Sequence, residues 1–257
     1  MRSASGKKGA LPGAEGPGRA KGAPGTGKNR AGKAARWFRR AVQAVREIVW
    51  PEGAVCLGCG RISRGECLCP ACRRELRETG LLESWETREI SGVRAWSMRP
   101  HRGIARKLIL RLKHGAEKRA AAELAALIRT RPPAFPECLP GTVVTWVPGP
   151  RRRIRERCID HGQELARAIA AELGLKSEAL LRRQGNDRPQ ARLNMEQRQK
   201  NLRNAFAPVR QIREPVLLVD DVLTTGTTAR RCIAALREGG AEEIRLLTAT
   251  YAGRRGE

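Results

Sequence analysis

The segment Val216–Thr228 constrains the fold of this chain more than any other part of its sequence. Four apolar residues predict a buried β-strand, Asp220 and Asp221 follow at its carboxyl end, and four threonines around Gly226 lead into a helix. Glycine permits positive φ and a close approach to the backbone, while hydroxyls and helix N-terminal amides favour phosphate. Carboxylates can accept hydrogen bonds from sugar hydroxyls or bind Mg²⁺. A helix cap alone would explain one or two threonines and leave the aspartates unexplained.

Further apolar segments predict the sheet to which this strand belongs. Strands are expected at Val143–Val147 and Ile244–Thr250, and helices at Gln163–Leu173 and Thr227–Glu238. Short apolar strands that alternate with longer helices are typical of a parallel sheet with helices on both faces. Ligands of such α/β sheets bind beyond the carboxyl ends of the strands, where the two aspartates lie.

The middle of the chain carries simpler local signals. Glu86–Met98 predicts a hairpin around Gly92, and residues 103–129 predict two helices with a break near His114-Gly115. The prolines that follow, from Pro132 to Pro140, predict a linker before the first buried strand.

The strand and loop resemble the signature of the type I phosphoribosyltransferases, an apolar strand followed by Asp-Asp-x-x-Thr-Thr-Gly-x-Thr. The resemblance implies a type I phosphoribosyltransferase-like α/β fold. It also implies that Asp220 and Asp221 are catalytic and face the ribose of phosphoribosyl pyrophosphate (PRPP) together with Mg²⁺. The residues implied to surround the 5-phosphate are Thr224, Thr225, Gly226, Thr227 and Thr228.

More of the chain resembles the ComF family, competence-associated proteins that join a small zinc module to this fold. The segments that carry the resemblance are Trp50-Pro51, His101–Lys113, Val147-Pro148, Arg157–His161 and Gln190–Phe206. The chain departs from the family at Cys158-Ile159, where the pattern has Gly-Phe, and at His101, where it usually has Tyr. Membership would imply a role in DNA uptake, with single-stranded DNA and competence-machinery proteins as partners.

The turn after the first buried strand is a candidate pyrophosphate site. The segment Val147-Pro148-Gly149-Pro150 predicts a rigid turn at the end of the strand, and five arginines follow within residues 151–157. Arginine donors suit pyrophosphate, but a solvated basic face or a contact with a nucleic-acid backbone would explain the run equally well. A predicted helix at Met195–Leu202 is either a lid over the site or an exposed capped helix. The candidate pyrophosphate and lid residues are Val147, Pro148, Arg153, Arg157, Asp160, Gln190 and Arg198.

Two Cys-x-x-Cys pairs near the amino terminus predict a closed zinc ribbon. The four expected ligands are Cys56, Cys59, Cys69 and Cys72, and the intervening Gly58 and Pro70 suit the tight turns that four thiolates require. Cys67 is expected to stand apart, although an exchange of Cys67 for Cys69 is the alternative registry. Because this module is too short to bury a large core, a structural Zn²⁺ would supply much of its folding free energy.

Composition leaves nucleic acid, phosphorylated metabolites and anionic surfaces as partners, because the formal net charge is +25. Residues 1–40 hold 11 Lys or Arg against Glu15 alone, and no apolar run suggests a signal peptide or membrane insertion, so a cytoplasmic protein is expected. We predict a disordered basic tail (1–33), a helix with a four-cysteine zinc-ribbon module (34–80) and a phosphoribosyltransferase-like domain (81–257).

Two functions follow from these patterns. The first is an enzyme that transfers the phosphoribosyl group of PRPP and releases pyrophosphate. The second is a non-catalytic module for single-stranded DNA that keeps the PRPP site as a ligand or structural site. The basic residues expected to contact DNA around the first helix of the middle region are Arg99, Arg102, Arg106, Lys107, Arg111 and Lys113.

Overall fold

A computed structural model describes residues 55–63, 65–78, 85–115, 117–132, 135, 138–157, 159–184 and 205–253. All of them belong to one unit, Glu52–Glu257. The predicted basic tail, the predicted helix that begins at Ala34 and the predicted helix Met195–Leu202 lie outside the described residues.

Six α-helices and eight strands make up the described part of the chain. The helices are α1 (Pro70–Glu78), α2 (Gly103–Gly115), α3 (Arg119–Ala125, continued by a 3₁₀ turn at Ala126–Thr130), α4 (Arg151–Arg157), α5 (His161–Leu173) and α6 (Thr227–Glu238). The strands are β1 (Glu86–Ile90), β2 (Val93–Pro100), β3 (Val143–Trp146), β4 (Lys176–Ser177), β5 (Leu181–Arg183), β6 (Phe206–Pro208), β7 (Val216–Leu223) and β8 (Ile244–Tyr251). None of the helices within these ranges has the length and apolar character that a bilayer crossing requires.

Six strands form one sheet in the order β1-β2-β8-β7-β3-β4. Every neighbouring pair is parallel except the hairpin β1-β2, which turns at Ser91 and Gly92 with positive φ at both residues. The second hairpin strand continues the parallel sheet by pairing with β8. The predicted α/β fold class, with a mostly parallel sheet, is therefore confirmed.

Helices cover both faces of this sheet. Leu217 and Val219 of β7 belong to an apolar cluster with α2, α3 and α5, whereas Val216 and Leu218 belong to a second cluster with α6. This alternation is the period of two that a strand imposes on its side chains. Because β7 continues to Leu223, beyond the predicted strand end, Asp220 and Asp221 lie within the strand on opposite faces.

A buried arginine joins the cysteine-rich module to the sheet. Arg99 in β2 is 2% exposed, and its Nε and Nη2 atoms donate to the Leu76 and Arg77 carbonyls of α1 at 3.0 and 3.1 Å. The same side chain also donates to the Met98 carbonyl at 2.6 Å and to Thr130 Oγ1 at 3.2 Å. The terminal carbonyls of a helix lack partners inside the helix, so Arg99 has a structural task here. The expectation that Arg99 contacts nucleic acid is wrong.

We expect Arg99→Met to lower the free energy of unfolding by about 1–3 kcal/mol, because several buried carbonyls lose a charged donor. Removal of a costly buried charge offsets part of that loss. Urea denaturation measures the change, with Arg74→Met on the exposed side of α1 as the matched control. The control should stay within about 0.5 kcal/mol of the wild type. Equal losses in the two variants would contradict the structural role of Arg99.

Candidate functional site

Two predicted phosphate-binding segments lie side by side at the carboxyl edge of the sheet. The loop Thr224–Thr228 follows β7, and the turn Val147–Pro150 follows the neighbouring strand β3. The Val147 amide donates to the Val219 carbonyl at 3.1 Å, so the turn starts level with the two aspartates. The sheet thus brings together residues that are far apart in the sequence.

The loop depends on Gly226 for its shape. This residue has φ of 72° and is buried, and an added Cβ would lie 2.8 Å from Ile90 Cδ1. The four threonines around it are exposed, and the Thr225 and Thr227 hydroxyls are 2.9 Å apart. Gly226 is the N-cap of α6, and the Thr225 hydroxyl accepts a hydrogen bond from the Thr227 amide at 3.4 Å. The loop therefore presents hydroxyls and helix N-terminal amides, a donor set that suits phosphate.

Asp220 lies half-buried on the face of the sheet that α6 covers. Its Oδ1 accepts a hydrogen bond from the Asp221 amide at 2.8 Å. Burial, together with the negative charge of Asp221, raises the pKa of Asp220 to about 7. A carboxylate that is costly to ionise in the free protein gains from a nearby cation, because opposite charge favours its charged form.

Asp221 lies on the other face and is bound by two basic side chains. Lys113 Nζ lies 2.9 Å from Asp221 Oδ2, and His161 Nε2 lies 3.1 Å from the same oxygen. Burial opposes ionisation of Asp221, but the His161 hydrogen bond and the Lys113 charge hold its pKa below the ordinary value. Sequence reasoning missed these contacts, although both partners belong to segments that resemble ComF. Lys113, one of the residues expected to contact DNA, pairs with Asp221 inside the protein.

Two further side chains hold the backbone of Asp221. The Thr250 hydroxyl donates to the Asp221 carbonyl at 3.0 Å, and His101 Nδ1 lies 2.9 Å from the Thr250 oxygen. Because a threonine hydroxyl has one proton, the Nδ1 atom must be the donor in this pair. Burial, with the charges of Lys113 and Arg106, lowers the pKa of His101. His101 is therefore a neutral donor that fixes the strand end.

The other candidate pyrophosphate and lid residues lie in different elements of the structure. Asp160 caps α5 by accepting from the amides of Gly162 and Gln163 at 3.1 and 3.4 Å. Arg153 is exposed and Arg157 half-buried on α4, a helix without buried residues. Val147 and Pro148 begin the turn beside β7. Gln190 and Arg198 fall outside the described residues.

The four predicted zinc ligands lie together. The Sγ atoms of Cys56, Cys59, Cys69 and Cys72 are all within 4.8 Å of one another, and Cys67 lies outside this group. An added Cβ at Gly58 would lie 2.8 Å from Cys72 Sγ, so glycine lets the first turn approach the second pair. Four sulfur donors at this spacing fit a tetrahedral structural Zn²⁺.

Cys56 and Cys67 lie in different surroundings, although burial also raises the pKa of Cys72 within the cluster. Burial opposes ionisation of Cys56, yet hydrogen bonds from the amides of Cys69, Cys59 and Gly58 lower its pKa to about 6. Burial raises the pKa of Cys67 to about 12, and the charge of Glu123 adds to the rise. A metal ligand must be a thiolate, so the amides around Cys56 favour the form that binds zinc.

Residues 160–257 match the family model described as the phosphoribosyl transferase domain. The match begins at Asp160 and includes β7 and the threonine loop. Together with the sheet it shows a phosphoribosyltransferase-like fold. A search of curated proteins found no match for this chain.

Solved structures similar to this chain include three proteins of low sequence identity. The B. subtilis glutamine PRPP amidotransferase is 22% identical with a TM-score of 0.35, and the match covers 59% of this chain and 29% of that chain. The Mycobacterium tuberculosis H37Rv orotate phosphoribosyltransferase is 16% identical with a TM-score of 0.34, covering 70% and 96%. The Giardia lamblia APRTase is 16% identical with a TM-score of 0.33, covering 66% and 94%. The chain thus spans under a third of the amidotransferase.

We expect Cys56→Ser to remove most of the zinc from the purified protein, because three thiolates bind the ion far more weakly than four. Cys67→Ser should leave one zinc per chain. Elemental analysis after dialysis measures the metal content of both variants. Zinc loss in Cys67→Ser with retention in a Cys69→Ser variant would favour the other registry.

We expect Gly226→Ala to lower the free energy of unfolding by about 2 kcal/mol, with about half of this from positive φ. The rest comes from the contact with Ile90. Gly174→Ala is the matched control, because Gly174 also has positive φ but no atom within 4 Å of an added Cβ. In an Ile90→Val background the cost at Gly226 should approach the control value, as measured by urea denaturation. An unchanged cost in that background would exclude Ile90 as the cause.

Proposed function

We propose that this protein binds PRPP with Mg²⁺ and transfers its phosphoribosyl group to a nitrogen nucleophile. The observation that carries the proposal is the arrangement at the carboxyl edge of the sheet. There the Thr224–Thr228 loop, with its four exposed threonines, and the Val147–Pro150 turn follow two neighbouring parallel strands, and the half-buried Asp220 lies within one of these strands. The family match over residues 160–257 supports the same ligand class.

Each part of the site matches one part of the ligand. The threonine hydroxyls and the first amides of α6 would bind the 5-phosphate, with the helix dipole adding a favourable field. Asp220 would accept hydrogen bonds from the ribose hydroxyls. The turn after β3 would lie along the pyrophosphate.

Oxygen donors at this edge fit Mg²⁺. Magnesium is commonly bound through one or two carboxylates together with the phosphates of a substrate, and Asp220 is a half-buried carboxylate beside the phosphate loop. The ion would neutralise charge on the pyrophosphate. Asp220 would then hold the ribose and the metal-bound ligand in one orientation.

Transfer requires positioning more than covalent help from the protein. The nucleophile forms a bond to C1 of the ribose, the C1–O bond breaks, and its electron pair leaves with pyrophosphate. The proton of the nucleophile passes to solvent. Positive charge that develops on the ribose ring is stabilised by the nearby carboxylate, and the loops fix the reacting atoms.

We propose DNA binding as the second function, in line with the role in uptake that the ComF resemblance implies. A protein of net charge +25 attracts polyanions, and several basic side chains on α2 and α4 point to solvent. The exposed basic residues on these helices include Arg106, Lys107, Arg111, Arg151 and Arg153. Single-stranded DNA and proteins of a competence machinery are the proposed partners. In this alternative the PRPP site is a ligand or structural site without turnover.

We expect Asp220→Asn to weaken PRPP binding in the presence of Mg²⁺ by roughly 10- to 100-fold, since a charged acceptor is lost. Titration calorimetry measures the affinity. Glu242→Gln, which neutralises an exposed carboxylate, is the matched control and should bind like the wild type. Equal affinity of Asp220→Asn and the wild type would contradict the assignment of the site.

Two assays on the same protein distinguish the two proposed functions. Release of pyrophosphate from PRPP in the presence of a nitrogen acceptor would establish transfer. Binding of PRPP without pyrophosphate release with any acceptor tested would favour the alternative, in which the site binds PRPP without turnover. Single-stranded DNA affinity should fall steeply with salt and should be unaffected by Asp220→Asn, because its contacts are electrostatic and lie elsewhere.

A further inference from the structure

One carboxylate holds two basic side chains from different helices at the edge of the sheet. Lys113 lies in the last turn of α2 and His161 is the first residue of α5, and both contact Asp221 Oδ2. The Asp221 side chain is 8% exposed, while those of Lys113 and His161 are 25% and 19% exposed. The carboxylate is therefore buried beneath two donors that reach solvent.

These donors lie next to the turn after β3. Gly162 follows His161, and an added Cβ at Gly162 would lie 3.1 Å from the Val147 carbonyl oxygen. The first turn of α5 thus packs directly against the start of the Val147–Pro150 turn. His161 and Lys113 stand on the side of the site where that turn leaves the sheet.

The turn itself has little with which to bind a strongly charged group. Pro148 and Pro150 have no amide hydrogen, and the Val147 amide already donates to Val219. Gly149 alone in these four residues offers an amide. One amide supplies a single hydrogen bond to pyrophosphate, so side-chain donors beside the turn would add to its binding together with Mg²⁺.

Lys113 and His161 suit this task better than the solvent-exposed arginines of α4. Every residue of α4 is at least partly exposed, so its long side chains must lose more conformational freedom when a ligand orders them. Lys113 and His161 are already oriented by Asp221. An ammonium has three N–H donors, so one can remain on Asp221 while others face a ligand.

We propose that Lys113 and His161 bind the pyrophosphate group of PRPP, and that Asp221 is a positioning residue that orients them. This inference rests on the proposed function. Asp220 and Asp221 then divide the work, because one carboxylate faces the ribose and the other supports the pyrophosphate donors. Thr250 and His101 hold the Asp221 backbone, which keeps the Asp220 and Asp221 side chains directed to opposite faces of the sheet.

Calorimetry with three ligands tests the proposal on the full chain: PRPP, pyrophosphate and ribose 5-phosphate, each with Mg²⁺. Lys113→Met and His161→Gln should weaken PRPP and pyrophosphate by roughly 10- to 100-fold, since each removes a charged or polar donor. Ribose 5-phosphate, which lacks the pyrophosphate, should bind within about twofold of the wild type, a change below about 0.5 kcal/mol. Lys118→Met is the matched control, since the exposed Lys118 is also a lysine paired with a carboxylate, Glu164, at 3.4 Å.

Two further variants test the positioning role. Lys113→Arg should recover part of the pyrophosphate affinity and covers the case in which Lys113→Met fails to fold. Asp221→Asn should weaken pyrophosphate and spare ribose 5-phosphate, whereas Asp220→Asn should weaken ribose 5-phosphate. A joint Lys113→Met and Asp221→Asn variant should lose less affinity than the sum of the singles, because the residues act as a unit.

Three results separate the possible failures. Unchanged pyrophosphate affinity in both Lys113→Met and His161→Gln would overturn the inference. Equal weakening of all three ligands in Asp221→Asn would also overturn it, because Asp221 would then act on ribose as Asp220 does. A wild-type chain that binds neither PRPP nor ribose 5-phosphate would overturn the proposed function and the inference with it.

Discussion

The continuation of β7 through its two aspartates is the constraint on which the candidate site depends. Asp220 pairs with Thr248 and Val222 pairs with Thr250, so the ladder with β8 stays in register past the acidic pair. Side chains of a paired strand alternate between the two faces of the sheet. Adjacent carboxylates in such a strand meet different surroundings, and a single Asp-Asp motif supplies two sites of different chemistry.

The surroundings shift the pKa values of the two carboxyl groups in opposite directions. A buried charge costs several kcal/mol unless partners compensate it, and Asp221 receives donors from both α2 and α5. The pKa of Asp220 rises because burial and the charge of its neighbour act together. Packing of α2 and α5 on one face therefore determines which aspartate is satisfied inside the protein and which can gain most from a ligand cation.

Local patterns predict local elements well and long-range contacts poorly. The bounds of α6 at Thr227–Glu238 are confirmed, as are the hairpin around Gly92 and the helix break near Gly115. Aspartate is disfavoured in strands, so the predicted strand ended at Val219, but pairing with β8 overrides that preference. The contact of Lys113, Asp221 and His161 joins three distant segments, and no spacing within any one of them encodes it. Arg99 resembles a surface residue in the sequence because burial of its charge depends on α1 carbonyls.

The position of each basic residue matters more than the total charge. Arg99 serves helix carbonyls and Lys113 serves a buried carboxylate, so part of the +25 has internal partners. Arg106, Lys107 and Arg111 on the exposed side of α2 face solvent, where salt screens their attraction for a polyanion. Lys113 and His161 are partly enclosed, where screening is weaker and a fixed orientation lowers the cost of binding. Helix α2 thus carries basic side chains that face solvent and one, Lys113, that is half-buried. The half-buried Lys113 is suited to a small, highly charged ligand in a defined pose.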